Sequence, residues 1–306
     1  MKSYFCSPSY QLGLDIQADK IRLVLLRKSG QTFFLERIDE IALPDDMLVK
    51  KKMRYWEEAT TALSDYTKRF KLKGTPTAIN LPANTVMMQH IDAPIDLSHE
   101  AIETEIREKV QRDLRGVADA LCIDYKIIQH LSNTKLFFAV ANQAVVSHYV
   151  DCLNEVELNL KIIDVDIFSL NRAIWFALQW YEDPKKNYAI ICVNEEMAAF
   201  TVFTAQEMLC YQTWSANCLS DFLVQFKNNI QSTIRAALIQ HLAVYAKPAY
   251  YHLISQDDFF NAYLLEHMDP TSSSLQLTHR ISKTRHFIPS DFFIACGAAL
   301  REFPIW

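Results

Sequence analysis

Carboxylates are the side chains in this sequence best placed to do chemistry, and several come close together. Asp164 and Asp166 stand two apart in Ile162-Ile163-Asp164-Val165-Asp166, so on a strand both leave the same face. Such a pair suits a divalent cation or general-base work. No histidine lies nearby to complete a transition-metal set, and a strand-end acidic cluster is the simpler reading. Glu195-Glu196 falls between two apolar runs, where a tight turn leaves both carboxylates in water. Asp15 sits near the end of Leu12-Gly13-Leu14-Asp15-Ile16, where an aspartate either faces a ligand or bonds its own turn. The 7 cysteines lack CxxC spacing and the 9 histidines are scattered without an HExxH. Buried thiols in a reducing compartment are expected, with neither a disulfide framework nor a metal site.

Composition removes further classes. The chain has 306 residues, 50% hydrophobic and 22% charged, enough for a large core and about two ordinary domains. A net charge of -5 argues against a nucleic-acid binder, and the basic–aromatic run Lys68-Arg69-Phe70-Lys71 is too short to reverse that. Only 5 residues are glycine, where average usage gives about 21. A glycine-rich phosphate cradle needs several residues without a Cβ, so P-loop and dinucleotide fingerprints are missing, as is GxSxG. The N-terminus has no apolar signal-peptide core, and the uncharged stretch from Gly74 to Ile91 is broken by Pro76 and Pro82. A soluble protein, able to reach a membrane through a partner, is the expectation.

The elements that must position these groups read as α/β. Leu12–Ile16, Ile21–Leu26 and Thr32–Ile38 suggest strands separated by polar turns. A helix follows to about Phe70, with Lys50-Lys51-Lys52-Met53-Arg54 at its start as a solvated face, and then a proline-bounded strand, Pro76–Pro82. Val86–Ile91 is a strand, Ser98 caps a helix with its apolar stripe at Ile102, Ile106, Val110 and Leu114, and strands Ile123–Ile128 and Leu136–Ala141 come next. Ala144–Val156 is amphipathic. The strand Ile162–Asp166 leads into an apolar helix, Phe168–Trp180, whose Trp175, Phe176 and Trp180 are expected in the core.

Tyr181–Asn187, centred on Pro184, reads as a linker. After it a strand–turn–strand device restarts at Tyr188–Val193 and Ala198–Thr204, which suggests two related halves. A long helix is expected from Ser220, with Phe222, Phe226, Ile230, Ile234, Leu238 and Leu242 at i+4 spacing, ended by Pro248. Ala249–Ser255 is then expected as a strand, Asp258–Met268 as a helix, and Phe292–Arg301 as a closing helix. In that last helix Gly297, set among small residues, permits close packing.

The order of these elements resembles the actin-like ATPase superfamily, in particular the PilM family of type IV pilus assembly and competence proteins. Gly13-Leu14-Asp15-Ile16-Gln17-Ala18-Asp19-Lys20-Ile21-Arg22-Leu23-Val24 resembles the family's opening hairpin. Leu81-Pro82, Ile91-Asp92-Ala93-Pro94 and Asp124-Tyr125 resemble landmarks of the small subdomain it shares with the division protein FtsA. Asp164–Ala173 and Ala295–Arg301 resemble its later strand-to-helix crossing and closing helix. The resemblance implies a two-lobed actin-like α/β fold, a duplicated ribonuclease H-like unit, with a small α/β subdomain inserted in the first lobe. It divides the chain into a first lobe (1–82 plus 161–184), an inserted subdomain (83–160) and a second lobe (187–306).

In this superfamily, backbone N–H groups in glycine turns hold ATP. Here Gln17 stands where the first turn carries glycine, Asn194 and Glu196 replace the aspartate and glycine of the second, and Trp214-Ser215-Ala216-Asn217 and Gln256-Asp257 occupy the regions of two glycine pairs. Asp15 alone of the polar site remains. The expectation is a degenerate nucleotide cleft at Asp15, Gln17, Asn194, Glu196 and Gln256, with no cofactor, no Mg-ATP and no hydrolysis. The resemblance also implies a partner: the N-terminal cytoplasmic peptide of the bitopic inner-membrane protein PilN. That peptide would lie in a groove between the first lobe and the inserted subdomain, at Leu81, Pro82, Asp124 and Tyr125. The alternative is a weak ATPase or nucleotide-gated switch of the same machinery. The arm of a type II secretion platform ranks third and a sugar kinase last.

Overall fold

The opening apolar runs form an antiparallel meander in the computed structural model, which describes residues 9–29, 32–44, 52–93, 98–114, 120–129, 134–178, 186–193, 197–203, 208–215, 230, 239, 241–260, 263–268, 288 and 290–301. Strand β1 (Ser9–Ile16) pairs with β2 (Lys20–Ser29), and β2 with β3 (Thr32–Ala42). Helix α1 (Lys52–Phe70) then carries the chain to β4 (Pro76–Leu81), which lies parallel to β1. Strand β8 (Asn159–Val165) adds parallel to β4, giving the order β3-β2-β1-β4-β8. β4 is buried along almost its whole length, as a central parallel strand must be.

The second half repeats this plan. Strands β9 (Tyr188–Val193), β10 (Met197–Phe203) and β11 (Met208–Ser215) form an antiparallel meander, and β12 (His241–Ala246) and β13 (Leu264–Met268) add in parallel, in the order β11-β10-β9-β12-β13. The order and sense of all five strands match the first sheet. Between the halves the core is continuous: Tyr188, Ile190, Cys192 and Phe203 belong to the same apolar cluster as Leu14 and Trp175.

A third sheet, β5 (Val86–Ala93), β6 (Leu121–Gln129) and β7 (Thr134–Asn142), has the order β5-β7-β6 and stands apart from the other two. Helix α2 (His99–Leu114) covers one of its faces, with Ile102, Ile106 and Val110 packed on Leu136, Phe138 and Val140. The i+4 stripe therefore has its partner in one alternation of β7. The Ser98 hydroxyl accepts the Ala101 N–H at 3.3 Å, as its capping position requires.

Packing redraws two boundaries. Helix α3 (Gln143–Glu155), capped by the Asn142 side chain, buries Tyr149, Cys152 and Leu153 in the first lobe's core, where the Trp56 ring meets Tyr149 edge-on at 4.6 Å. It goes with the first lobe although it lies within 83–160. After α4 (Asp166–Ala177) and α5 (Pro248–Ser255), the closing helix α6 (Phe293–Ala299) also returns to the first lobe, although it lies within 187–306. Two glycines allow that return: a Cβ on Gly13 would stand 1.9 Å from the Ala295 carbonyl oxygen, and one on Gly297 would stand 1.8 Å from that of Ser169.

Other corrections concern the second half. Residues 249–255, expected as a strand, are helical, because Pro248 sits in the first turn, where its fixed φ starts a helix and its missing N–H costs nothing. Leu242, expected to continue a helix, lies in β12, and Leu264–Met268, expected in a helix, is β13. These two strands pair with each other, and that long-range ladder overrides the local pattern. Asp164 and Asp166 do not share a strand face, since β8 ends at Val165 and Asp166 opens α4. Trp175 and Phe176 are core residues. Trp180, most of the Tyr181–Asn187 linker, the Glu195-Glu196 turn, and most of the expected helix from Ser220 lie outside the described residues.

Candidate functional site

The uncovered face of the third sheet and the first lobe together form a groove of about 390 Å³. Because β7 alternates, Leu136, Phe138 and Val140 go to α2, while Phe137, Ala139 and Ala141 line the groove. Their register partners on β6 are Lys126, Asp124 and Cys122. The opposite side is built by Leu81 at the end of β4, its register partner Val165 on β8, and Val146 of α3. Phe168, Asn171 and Arg172 of α4 close the inner end, with Thr201 and Phe203 from the second lobe.

Charge is concentrated at that inner end. Arg172, 2% exposed, places Nη2 at 2.9 Å from Asp164 Oδ2 and donates from Nη1 to the Gly297 carbonyl at 2.7 Å. Arg301 Nε lies 3.5 Å from the same carboxylate oxygen. The Ser169 hydroxyl, 3.4 Å from Asp164 Oδ2, donates to Asn80 Oδ1 at 2.6 Å, and Asn80 donates to the Leu14 carbonyl, which ties the pair into the first sheet. Burial pushes the Arg172 guanidinium down from its ordinary value while Asp164 opposes the shift. Arginine titrates so high that it stays charged. Two cations thus share one carboxylate. From α4, Asn171 donates to the Thr201 hydroxyl at 2.9 Å, linking the lobes beside the groove.

Leu81, Asp124 and Tyr125 line this groove together, whereas Pro82 is not among its lining residues. The Tyr125 ring packs on the α2 side of the sheet, and its hydroxyl is hydrogen-bonded to His99 Nδ1. Its main-chain N–H donates to Asp124 Oδ1 at 2.9 Å.

Of the residues expected at a nucleotide cleft, Asp15 and Gln17 lie at the end of β1 and Gln256 at the end of α5 in the second lobe. Asp15 is buried, and its carboxylate accepts from Gln17 Nε2 at 2.7 Å. Burial raises its pKa to about 6, against the Gln17 hydrogen bond and the attraction of Arg22. The Gln17 N–H donates to the Lys20 carbonyl at 2.8 Å, closing the β1–β2 turn on itself. Gln256 ends α5: its N–H donates to the His252 carbonyl at 3.1 Å and that of Asp257 to Ile254 at 3.2 Å. Asn194 and Glu196 lie outside the described residues.

Sequence reasoning misread one residue here and passed over another. Asp166, expected on a strand face with Asp164, is instead close enough to Asp15 to feel its charge. Its Oδ1 accepts the N–H groups of Ala83 at 3.0 Å and Ile167 at 2.6 Å. Burial raises its pKa to about 7, the Ile167 and Ala83 bonds oppose this, and the Asp15 and Asp164 charges add to it. Arg172 is the other, and its signal was legible: a lone arginine in the apolar run Phe168–Trp180 must have a buried partner.

A family model described as type IV pilus assembly protein PilM matches residues 13–217 of the chain. Among solved structures, a PilM–PilN type IV pilus biogenesis complex superposes with a TM-score of 0.68 at 15% identity, covering 95% of this chain and 98% of that one. The cytoplasmic domain of EpsL, an inner-membrane component of the type II secretion system of Vibrio cholerae, does so with a TM-score of 0.53 at 9% identity, covering 96% and 95%. The two duplicated sheets, with the third inserted, are the two-lobed actin-like fold.

Proposed function

Because this chain belongs to the type IV pilus assembly protein PilM family, we propose that it is a cytoplasmic scaffold of the inner-membrane pilus platform. In this reading it holds the N-terminal cytoplasmic tail of a PilN-like protein in the groove between the third sheet and the first lobe. The observation that carries the reading is the groove itself, which brings Leu81, Asp124 and Tyr125 together against the apolar faces of Phe137 and Phe168. A short extended peptide suits such a site, because its side chains fill apolar pockets while its backbone bonds an edge. Buried apolar area contributes ~25 cal/mol per Å², about 1.5–3 kcal/mol for each side chain buried, and main-chain hydrogen bonds add to this. The solved neighbour that is itself a PilM–PilN complex supports the choice of partner. Among the described residues no helix is long and apolar enough to cross a membrane, so in this proposal the partner supplies the attachment.

In the same proposal no ATP is held and none is hydrolysed. Phosphate recognition needs backbone N–H groups free to converge on the ligand. The Gln17 N–H donates to Lys20 instead, and its side chain covers Asp15. The Gln256 and Asp257 N–H groups finish α5. In this reading the described residues do not fit the nucleotide. The alternative, a nucleotide-gated switch, rests on the one carboxylate that persists from that site, Asp15, with the Asp166 carboxyl near enough to feel its charge.

Titration of the purified protein with the synthetic tail peptide of its PilN-like partner tests the docking reading. Micromolar affinity is expected, abolished by Ala139→Trp, which puts a large ring into the groove from the face of β7 away from α2. Equal affinity in that variant, folded to the same Tm, places the peptide elsewhere.

A further inference from the structure

Among the described residues strand β6 is an edge strand: in the order β5-β7-β6 it pairs with β7 alone. In an antiparallel pair, N–H and C=O groups point to the partner and away from it by turns, residue by residue. The Tyr125 N–H is taken by the Asp124 carboxylate at 2.9 Å, so Tyr125 belongs to the row that points away from β7. With a period of two, Ile123 and Ile127 share that row. Five consecutive residues, Cys122 to Lys126, line the groove, whereas β7 contributes only alternate ones. The groove therefore meets β6 along its edge as well as on one face. At the end of the same row Ile127 is 41% exposed, one of few large apolar side chains so placed among the described residues. An apolar edge open to pairing is a feature that soluble proteins ordinarily suppress, with charge among the devices used.

We propose that the peptide in the groove adds as a strand to the outer edge of β6, and that Asp124 masks that edge by holding the N–H which the peptide's carbonyl takes. The inference rests on the docking reading above and specifies how recognition works. Main-chain pairing at Ile123, Tyr125 and Ile127 supplies affinity, and alternate apolar side chains of the peptide enter the groove beside Phe137 and Ala139. Asp124 is exposed, so its carboxylate can swing into water when the carbonyl arrives. It is a positioning residue that sets the cost of opening the edge and contributes no contact of its own.

The test uses the full chain and N-methylated versions of the tail peptide. Each methyl removes one main-chain donor and blocks pairing on that side. Strand addition predicts a period of two: methylation at every second residue weakens binding about tenfold or more, and the intervening positions change it less than about twofold. With the unmodified peptide, Asp124→Ala is expected to bind about threefold to tenfold more tightly, since no intramolecular acceptor has to be displaced. Binding that tolerates methylation without any period overturns strand addition while leaving docking intact. Weaker binding by Asp124→Ala, at unchanged Tm, overturns the masking role. Failure of the unmodified tail to bind removes the docking reading, and this inference with it.

Discussion

Arg172 and Asp164 form an ion pair at 2.9 Å beneath the groove, each less than a tenth exposed, one from α4 and the other from the end of β8. Removing one partner leaves the other charge buried, which costs ~3–5 kcal/mol. Arg172→Met is therefore expected to lower unfolding free energy in urea by about that amount. The double variant with Asp164→Leu should recover most of it, because an apolar pair of similar volume is tolerated there. A loss below about 1 kcal/mol in the single variant would mean that Arg301, 3.5 Å from the same oxygen, takes over the carboxylate.

Gly13 and Gly297 each face a backbone carbonyl closer than any real Cβ could stand, at 1.9 and 1.8 Å. Backbone cannot rotate away as a side chain can. Gly297→Ala must push α6 off α4, and Gly13→Ala must push it off β1. Each substitution is expected to cost at least ~3 kcal/mol, read as a Tm lowered by several degrees or more, or as loss of soluble protein. Ala298→Gly, one residue along the same helix, should cost only its helix-propensity and small packing loss, about 1 kcal/mol. Equal Tm for Gly297→Ala and wild type would mean that the two helices stand further apart in solution.

The close packing at Gly297 was legible in the sequence because a glycine inside a helical run has few other uses. The first meander and the α2 stripe were legible for a similar reason: each is a local pattern, period two or i+4, that its tertiary partner merely completes. What failed was β12, α5 and β13. Leu242 continues the i+4 register of the residues before it, and only the parallel ladder with β13 makes it a strand. Tyr250-Tyr251-His252-Leu253-Ile254 is as apolar and aromatic as a strand, yet turns helical behind Pro248. For the candidate site, Leu81, Asp124 and Tyr125 came from resemblance, and the sequence alone could not join β4 to β6. Asp166 was named but misplaced, because the strand face it was assigned to share with Asp164 was assumed to run one residue past its end.

Asp15 and Asp166 predict an unusual pH dependence. Their folded pKa values, about 6 and about 7, lie above the ordinary 3.8, chiefly through burial. Between pH 3.8 and 7 the folded chain therefore binds more protons than the unfolded chain, so these groups make stability fall as pH rises. Below that window they cost nothing, and above it the full cost is present. Asp166→Asn keeps an acceptor for the Ala83 N–H and removes the titration. Relative to wild type it should gain about 3 kcal/mol between pH 4.5 and pH 8 in urea unfolding. An unchanged difference across that range would show that the Asp166 carboxyl ionises as it does in water.

The last expectation is that Mg-ATP produces no binding heat and is not hydrolysed. In an actin-like cleft the phosphates are held by main-chain N–H groups, and a carboxylate orders the metal and the attacking water. Here the first hairpin's Gln17 N–H is 2.8 Å from the Lys20 carbonyl, and the side chain that replaces a bare turn lies 2.7 Å from Asp15. Asp15 itself, raised by burial to about 6, is ionised at pH 7.5, but its carboxylate already accepts from the Gln17 side chain. Asp166, raised to about 7, is largely ionised at pH 7.5 as well and adds like charge against the phosphates. Calorimetry at pH 7.5 with millimolar Mg-ATP is expected to be flat, and Gln17→Gly alone should not restore binding, because Gln256 and Asp257 still commit their N–H groups to α5. Micromolar affinity lost in Asp15→Ala would promote the nucleotide-gated switch over the scaffold.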